Sequence, residues 1–198
     1  MTWSEATLLA ILVVAILGWL AWISASRVDR LHRKLSASRI ALDSQLVRRA
    51  SAAADLATSG LLDPASSVIV ADSAYAVIDE HGPVTAPEQA LVMAGLGERR
   101  ERVESALSAT LREALADAAE VATLRATVDG GPLLTNLAAS WYRAQLARRF
   151  HNEAVAQAQR ARRHWYVRLL HLAGRAPWPQ TVELDDQMPA GLEAAPQP

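Results

Sequence analysis

The chain has 198 residues, with 20 Lys or Arg against 21 Asp or Glu and a formal net charge of −1. Cysteine is absent, which excludes thiolate ligation and is consistent with a reducing compartment. Ala, Leu, Arg and Glu dominate, and no segment alternates apolar and polar residues between turn signals, so the composition points to an all-α fold.

The first element is the most informative. Leu8 to Ile23 is an unbroken apolar run, and the wider stretch Trp3 to Ala25 is polar only at Ser4, Glu5, Thr7 and Ser24, near its ends. About 20 such residues cross a bilayer as a helix. Trp3 lies at one end and Trp19 and Trp22 towards the other, as interfacial indoles do. Arg27, Arg30, Arg33 and Lys34 follow at once, and cationic side chains beside a span are retained on the cytoplasmic side. Residues 1–26 are therefore predicted to be a single-pass anchor in the cell membrane, with the amino terminus extracellular and the rest cytoplasmic. A cleaved signal peptide, for which Ser24-Ala25-Ser26 offers a small-x-small pattern, is disfavoured because no Lys or Arg precedes the run.

The anchor helix is predicted to continue into residues 27–175, an antiparallel helical bundle. Val28, Leu31, Leu35, Leu42, Leu46, Ala50 and Ala53 recur at helical spacing up to Gly60. Asp63-Pro64 reads as an N-cap and first helical residue of a second helix, which carries Val68, Ile69, Ala71, Ala76 and Ile78 and stops at Gly82-Pro83. A short helical piece is expected between Thr85 and Gly97. One helix is then expected from Glu98 to Thr127, with Val103, Leu107, Leu111, Leu115 and Leu124 on one face. Asp129-Gly130-Gly131-Pro132 reads as a turn, and a last long helix runs from about Leu133 to Ala173. Residues 176–198 form a Pro-rich, acidic tail, expected to be disordered.

Charge is segregated along the chain. Arg27 to Gly60 and Ser140 to Arg175 are basic, whereas Leu61 to Glu98 carries six acids and no Lys or Arg. No two histidines have the three- or four-residue spacing of a helical metal site, no phosphate loop is present, and no nucleophile elbow occurs. No metal, cofactor or catalytic function is expected. The densest basic-aromatic cluster, Arg160, Arg162, Arg163, Trp165 and Arg168, suits anionic lipid headgroups or a partner better than nucleic acid, given the adjacent membrane.

Two stretches carry a family resemblance. Asp43-Ser44-Gln45-Leu46-Val47-Arg48-Arg49, soon after the anchor, resembles the D-x-Q-L-x-R-R signature of the LemA family. Ala147-Arg148-Arg149-Phe150-His151-Asn152-Glu153-Ala154-Val155 is similar to its A-R-R-x-Y-N-x-A-V segment, with His151 in place of the family's tyrosine. The resemblance implies a divergent member: a single-pass membrane protein with a cytoplasmic helical bundle and no established biochemical role. It groups Asp43, Gln45, Arg48, Arg49, Arg148, Arg149 and Asn152 as a polar seam between the first and last long helices, where Asp43 and Gln45 would pair with arginines. The expected function is docking onto another membrane protein or self-assembly. The alternative is a peripheral lipid-binding or envelope-stress factor using the basic C-terminal helix.

Overall fold

The computed structural model describes residues 3–81, 95–164, 167 and 177–193. Every regular element among them is helical: α1 (Trp3–Thr58), α2 (Pro64–Glu80), α3 (Glu98–Ala114), α4 (Ala118–Arg125), α5 (Gly130–Arg163) and the single turn α6 (Ala190–Glu193).

At 56 residues, α1 is one unbroken helix about 84 Å long. Its halves differ. In the first, Leu8, Ile11, Leu12, Val14, Trp19 and Trp22 are all exposed. In the second, Leu35, Leu42, Leu46, Ala50 and Ala53 are buried, as their spacing predicts, and the stripe widens at its end to take in Ala54, Leu56 and Ala57. The side chain of Val28 lies outside the described residues. The chain then turns through Gly60, at φ 74°, into α2. There the Asp63 carboxylate accepts from the amides of Ala65 and Ser66, with Pro64 opening the helix.

Contacts along α1 fix the direction of its neighbours. Lys34 donates to Gln157, Ser38 meets His151, Leu42 and Leu46 pack with Ala144, and Arg49 lies over Trp141. Partner numbers fall as those of α1 rise, so α5 is antiparallel to α1. Ser73 with Thr110 and Glu80 with Arg99 show the same relation between α2 and α3. α1 stands between α2 and α5, which share no substantial interface.

Several boundaries differ from the sequence reading. α2 buries Val70, Ala74 and Val77, and leaves Val68, Ile69 and Ala76 exposed. The helix expected from Glu98 to Thr127 breaks at Leu115–Asp117, because the Asp117 carboxylate accepts from Ala119 and Glu120 and starts α4. Gly130-Gly131-Pro132 is not a turn but the opening of α5. A Cβ on Gly130 would lie 2.3 Å from the Leu124 carbonyl, so close approach of α4 requires glycine there. α5 ends at Arg163; of the rest of its expected length, residues 165, 166 and 168–173 lie outside the described residues, as does the short piece expected from Thr85, up to residue 94.

The largest difference is the tail. From Pro177 to Pro189 the chain is an extended strap laid along α5 and across to α3. Gln159 donates to the Pro179 carbonyl, the Asn152 amide exchanges two hydrogen bonds with Val182, and Arg148 grips the Asp186 carboxylate through Nε (2.8 Å) and Nη2 (3.0 Å). On the other side Arg112 pairs with Asp185, holding its carboxyl below the usual range, and Ser105 accepts from the Asp185 amide. Val182, Pro189 and Leu192 are buried, and Arg125 donates to Gly191. A segment expected to be disordered is ordered because side chains of other helices satisfy its main chain.

Asp186→Ala leaves Arg148 half-buried without its carboxylate. We expect a loss of about 1.5–3 kcal/mol in urea unfolding and faster proteolysis between residues 177 and 189. Unchanged protection of the strap would mean that its main-chain contacts alone hold it.

Candidate functional site

The bundle encloses a cluster of charge built by α1 and α3. Arg49 and Glu104 are both fully buried, and Arg49 Nη2 lies 2.8 Å from Glu104 Oε2. The same Nη2 reaches the Glu104 carbonyl at 3.1 Å, Nη1 donates to Ser108 at 2.9 Å, and the guanidinium carbon lies 4.9 Å from the centre of the Trp141 ring. Trp141 in turn donates its indole N–H to the Asp186 carbonyl of the strap at 2.8 Å.

One turn away, Arg100 extends the cluster. Its Nε is 3.6 Å from the otherwise unpartnered Glu104 Oε1, and its Nη2 is 3.1 Å from Asp43 Oδ1, at ion-pair distance but without hydrogen-bond alignment. Asp43 also meets Arg39 at 3.5 Å and His81 Nδ1 at 2.9 Å. Three guanidiniums thus face two carboxylates, with His81 at the exposed rim. Such a group fixes helix positions. Among the described residues no group of three His, Asp or Glu is placed to hold a metal ion.

The residues expected to form one seam divide between two places. Asp43 and Arg49 belong to the buried cluster, pairing with α3 rather than with α5. Arg148 and Asn152 hold the strap. Arg48 and Arg149 are exposed, and Gln45 is half-buried with Oε1 unpartnered. The pairing expected across the α1–α5 seam is therefore replaced by pairing of each helix with a third element, α3 or the strap. Glu104, Arg100, Trp141 and Asp186 were not singled out from the sequence. One signal was legible: Arg100 and Glu104 continue the Leu107–Leu111–Leu115 stripe backwards, so charge stands at positions spaced for the core.

At the α1–α5 contact itself, Ser38 donates to the Leu35 carbonyl at 2.8 Å, which leaves its oxygen to accept from His151 Nδ1 at 3.1 Å. Burial, and then the Arg39 guanidinium, lower the His151 pKa from 6.5 to about 4. The unfolded chain takes up a proton in this window that the folded chain refuses. Stability contributed by neutral His151 is complete above pH 6.5 and is lost as pH falls towards 4.

The basic residues meet at one end of the bundle. Lys34 bonds Gln157 at 2.9 Å, and Arg162, after burial, contributes to lowering the His32 pKa, so the end of α5 sits beside the Arg30–Lys34 turn of α1. Arg33 pairs with Asp29 and Arg160 with Glu153. Arg162 and Arg163 both stack on Trp178, and Arg162 also donates to the Pro177 carbonyl. Trp165, Arg168 and the side chain of Arg27 lie outside the described residues. Trp3, Trp19 and Trp22 are exposed. Among the described residues no helix is long and apolar enough to cross a membrane; within the apolar run, the side chains of Leu9, Ala10, Leu17, Leu20 and Ala21 lie outside that description.

Comparison with protein-family models, with curated proteins and with solved structures gives no match.

Two outcomes follow. Arg49→Met alone leaves Glu104 buried with only the 3.6 Å contact to Arg100 and should cost about 3–5 kcal/mol, whereas Arg49→Met with Glu104→Leu should recover most of that loss in a double-mutant cycle. Between pH 6.5 and 4 the unfolding free energy should include a fall of up to about 3 kcal/mol that His151→Gln removes; an unaltered pH profile would assign the acid sensitivity to other groups.

Proposed function

We propose that this protein is a single-pass membrane protein whose first α1 segment, Trp3 to Ala25, lies in the bilayer and whose helical bundle docks on a membrane complex or on further copies of itself at the cytoplasmic face. The observation that carries the reading is the division of α1. Its exposed apolar half runs without a break into the basic collar of Arg30, Arg33, Lys34, Arg160, Arg162 and Arg163, beyond which its apolar residues become core. A collar at one height suits anionic headgroups on the leaflet from which the bundle emerges. The motif resemblance to the LemA family belongs to the same proposal, since it implies the same arrangement.

The absence of cysteine makes the test direct. The protein should remain in the membrane pellet after alkaline extraction. In intact cells a membrane-impermeant maleimide should label Ser4→Cys and leave Thr135→Cys unlabelled until the cells are lysed. Release by alkali would overturn the anchor, and the reverse labelling would overturn its orientation.

A further inference from the structure

Among the described residues, two exposed apolar faces stand out once the core and the α1 segment are set aside. On α2, Val68, Ile69, Asp72, Tyr75 and Asp79 share the side turned away from α1 and α3, and Val68 is 69% exposed. On α5, Tyr142, Arg143, Leu146, Arg149 and Phe150 share the side turned away from α1, and Phe150 is 64% exposed. Apolar residues grouped in this way on separate helices mark contact surfaces more often than scattered ones do.

Their charges are opposite. Asp72 and Asp79 make no ion pair among the described residues, and neither does Arg149. Arg143 bonds only the Ser140 hydroxyl there. Their spacings along the helix axes are close. The acids stand seven residues apart and the arginines six, about 10 and 9 Å along their axes, with Tyr75 between the former and Leu146 between the latter.

We propose that the α2 face of one copy docks on the α5 face of the next, so that the chain assembles head-to-tail with itself. Asp72 then meets Arg143, Asp79 meets Arg149, and Tyr75 lies against Leu146. Both helices run antiparallel to α1, so they are parallel to one another in copies of common orientation. That last step rests on the anchored reading, which gives all copies one orientation. The two surfaces are different and separated by α1, so the contact is heterologous and builds a closed ring or an open row of copies.

Disulfide mapping on the full chain tests this. Tyr75→Cys and Leu146→Cys are exposed substitutions outside the core. Mixed single-cysteine copies should give a 75–146 linked dimer and nothing larger, while a chain carrying both should give a ladder. Asp79→Arg should lower the linked fraction about tenfold, and Asp79→Arg with Arg149→Asp in the same chain should restore it. Light scattering on the cysteine-free protein and its Asp79→Arg variant gives the same comparison without cross-linking. A yield no greater than that of the exposed control pair Ser51→Cys and Thr123→Cys overturns the proposal, as does linkage only between like positions. Failure of anchoring would show in alkaline extraction and leave the 75–146 link in place; failure of the contact would abolish the link and leave the membrane fraction unchanged.

Discussion

The arrangement of the bundle depends on one buried cation. Removing a guanidinium from water costs several kcal/mol, and Arg49 recovers that only where Glu104, Ser108 and the Trp141 ring converge on it. Glu104 belongs to α3 and Trp141 to α5, and the indole N–H of Trp141 bonds the strap. Four elements are thus held in register around a single side chain. The apolar stripe alone would not do this. Leu107, Leu111 and Leu115 repeat every four residues, so a slide of α3 by one turn presents nearly the same surface. The Arg49–Glu104 pair distinguishes the two positions, together with the polar contacts of Arg100 and Thr110 on the same helix.

Helix content and order were legible because they rest on local signals. Leu35, Leu42 and Leu46 lie where their spacing puts them, and the cap at Asp63 is a short-range hydrogen bond readable from Asp-Pro alone. The break at Asp117 was not legible, because an aspartate among alanines reads equally well as a helix surface. Gly130 misled for a tertiary reason: its missing side chain admits the Leu124 carbonyl, and nothing in Asp-Gly-Gly-Pro distinguishes that from a turn. For the polar residues, sequence identified Asp43, Arg49, Arg148 and Asn152 as special but not what each one binds. Partners such as Glu104 and Asp186 come from 55 and 38 residues away.

The strap shows how composition misleads about order. A segment rich in proline and acid has little of its own to bury, which is why such composition usually goes with disorder. Here the stabilising groups belong to the surface beneath. Proline has no N–H, so the strap asks for few acceptors, and its carbonyls at Pro179, Val182, Asp186 and Gln187 each accept from a side chain of α3 or α5. Those helices carry Arg, Gln and Asn where an open bundle would present ordinary solvated residues. Their polarity is directed inward, at a backbone rather than at water.

The long reach of these contacts has a consequence for synthesis. Arg49 meets its carboxylate on α3 only after about 55 more residues are made, and the tryptophan that covers it only after about 92. The strap over that tryptophan comes last. At about 10 residues per second, the interval from Arg49 to Asp186 lasts on the order of ten seconds, during which the second half of α1 has emerged without the helix that will cover it. For most of that interval Leu35, Leu42 and Leu46 are bare, open to any chaperone or neighbouring nascent chain until the fifth helix arrives.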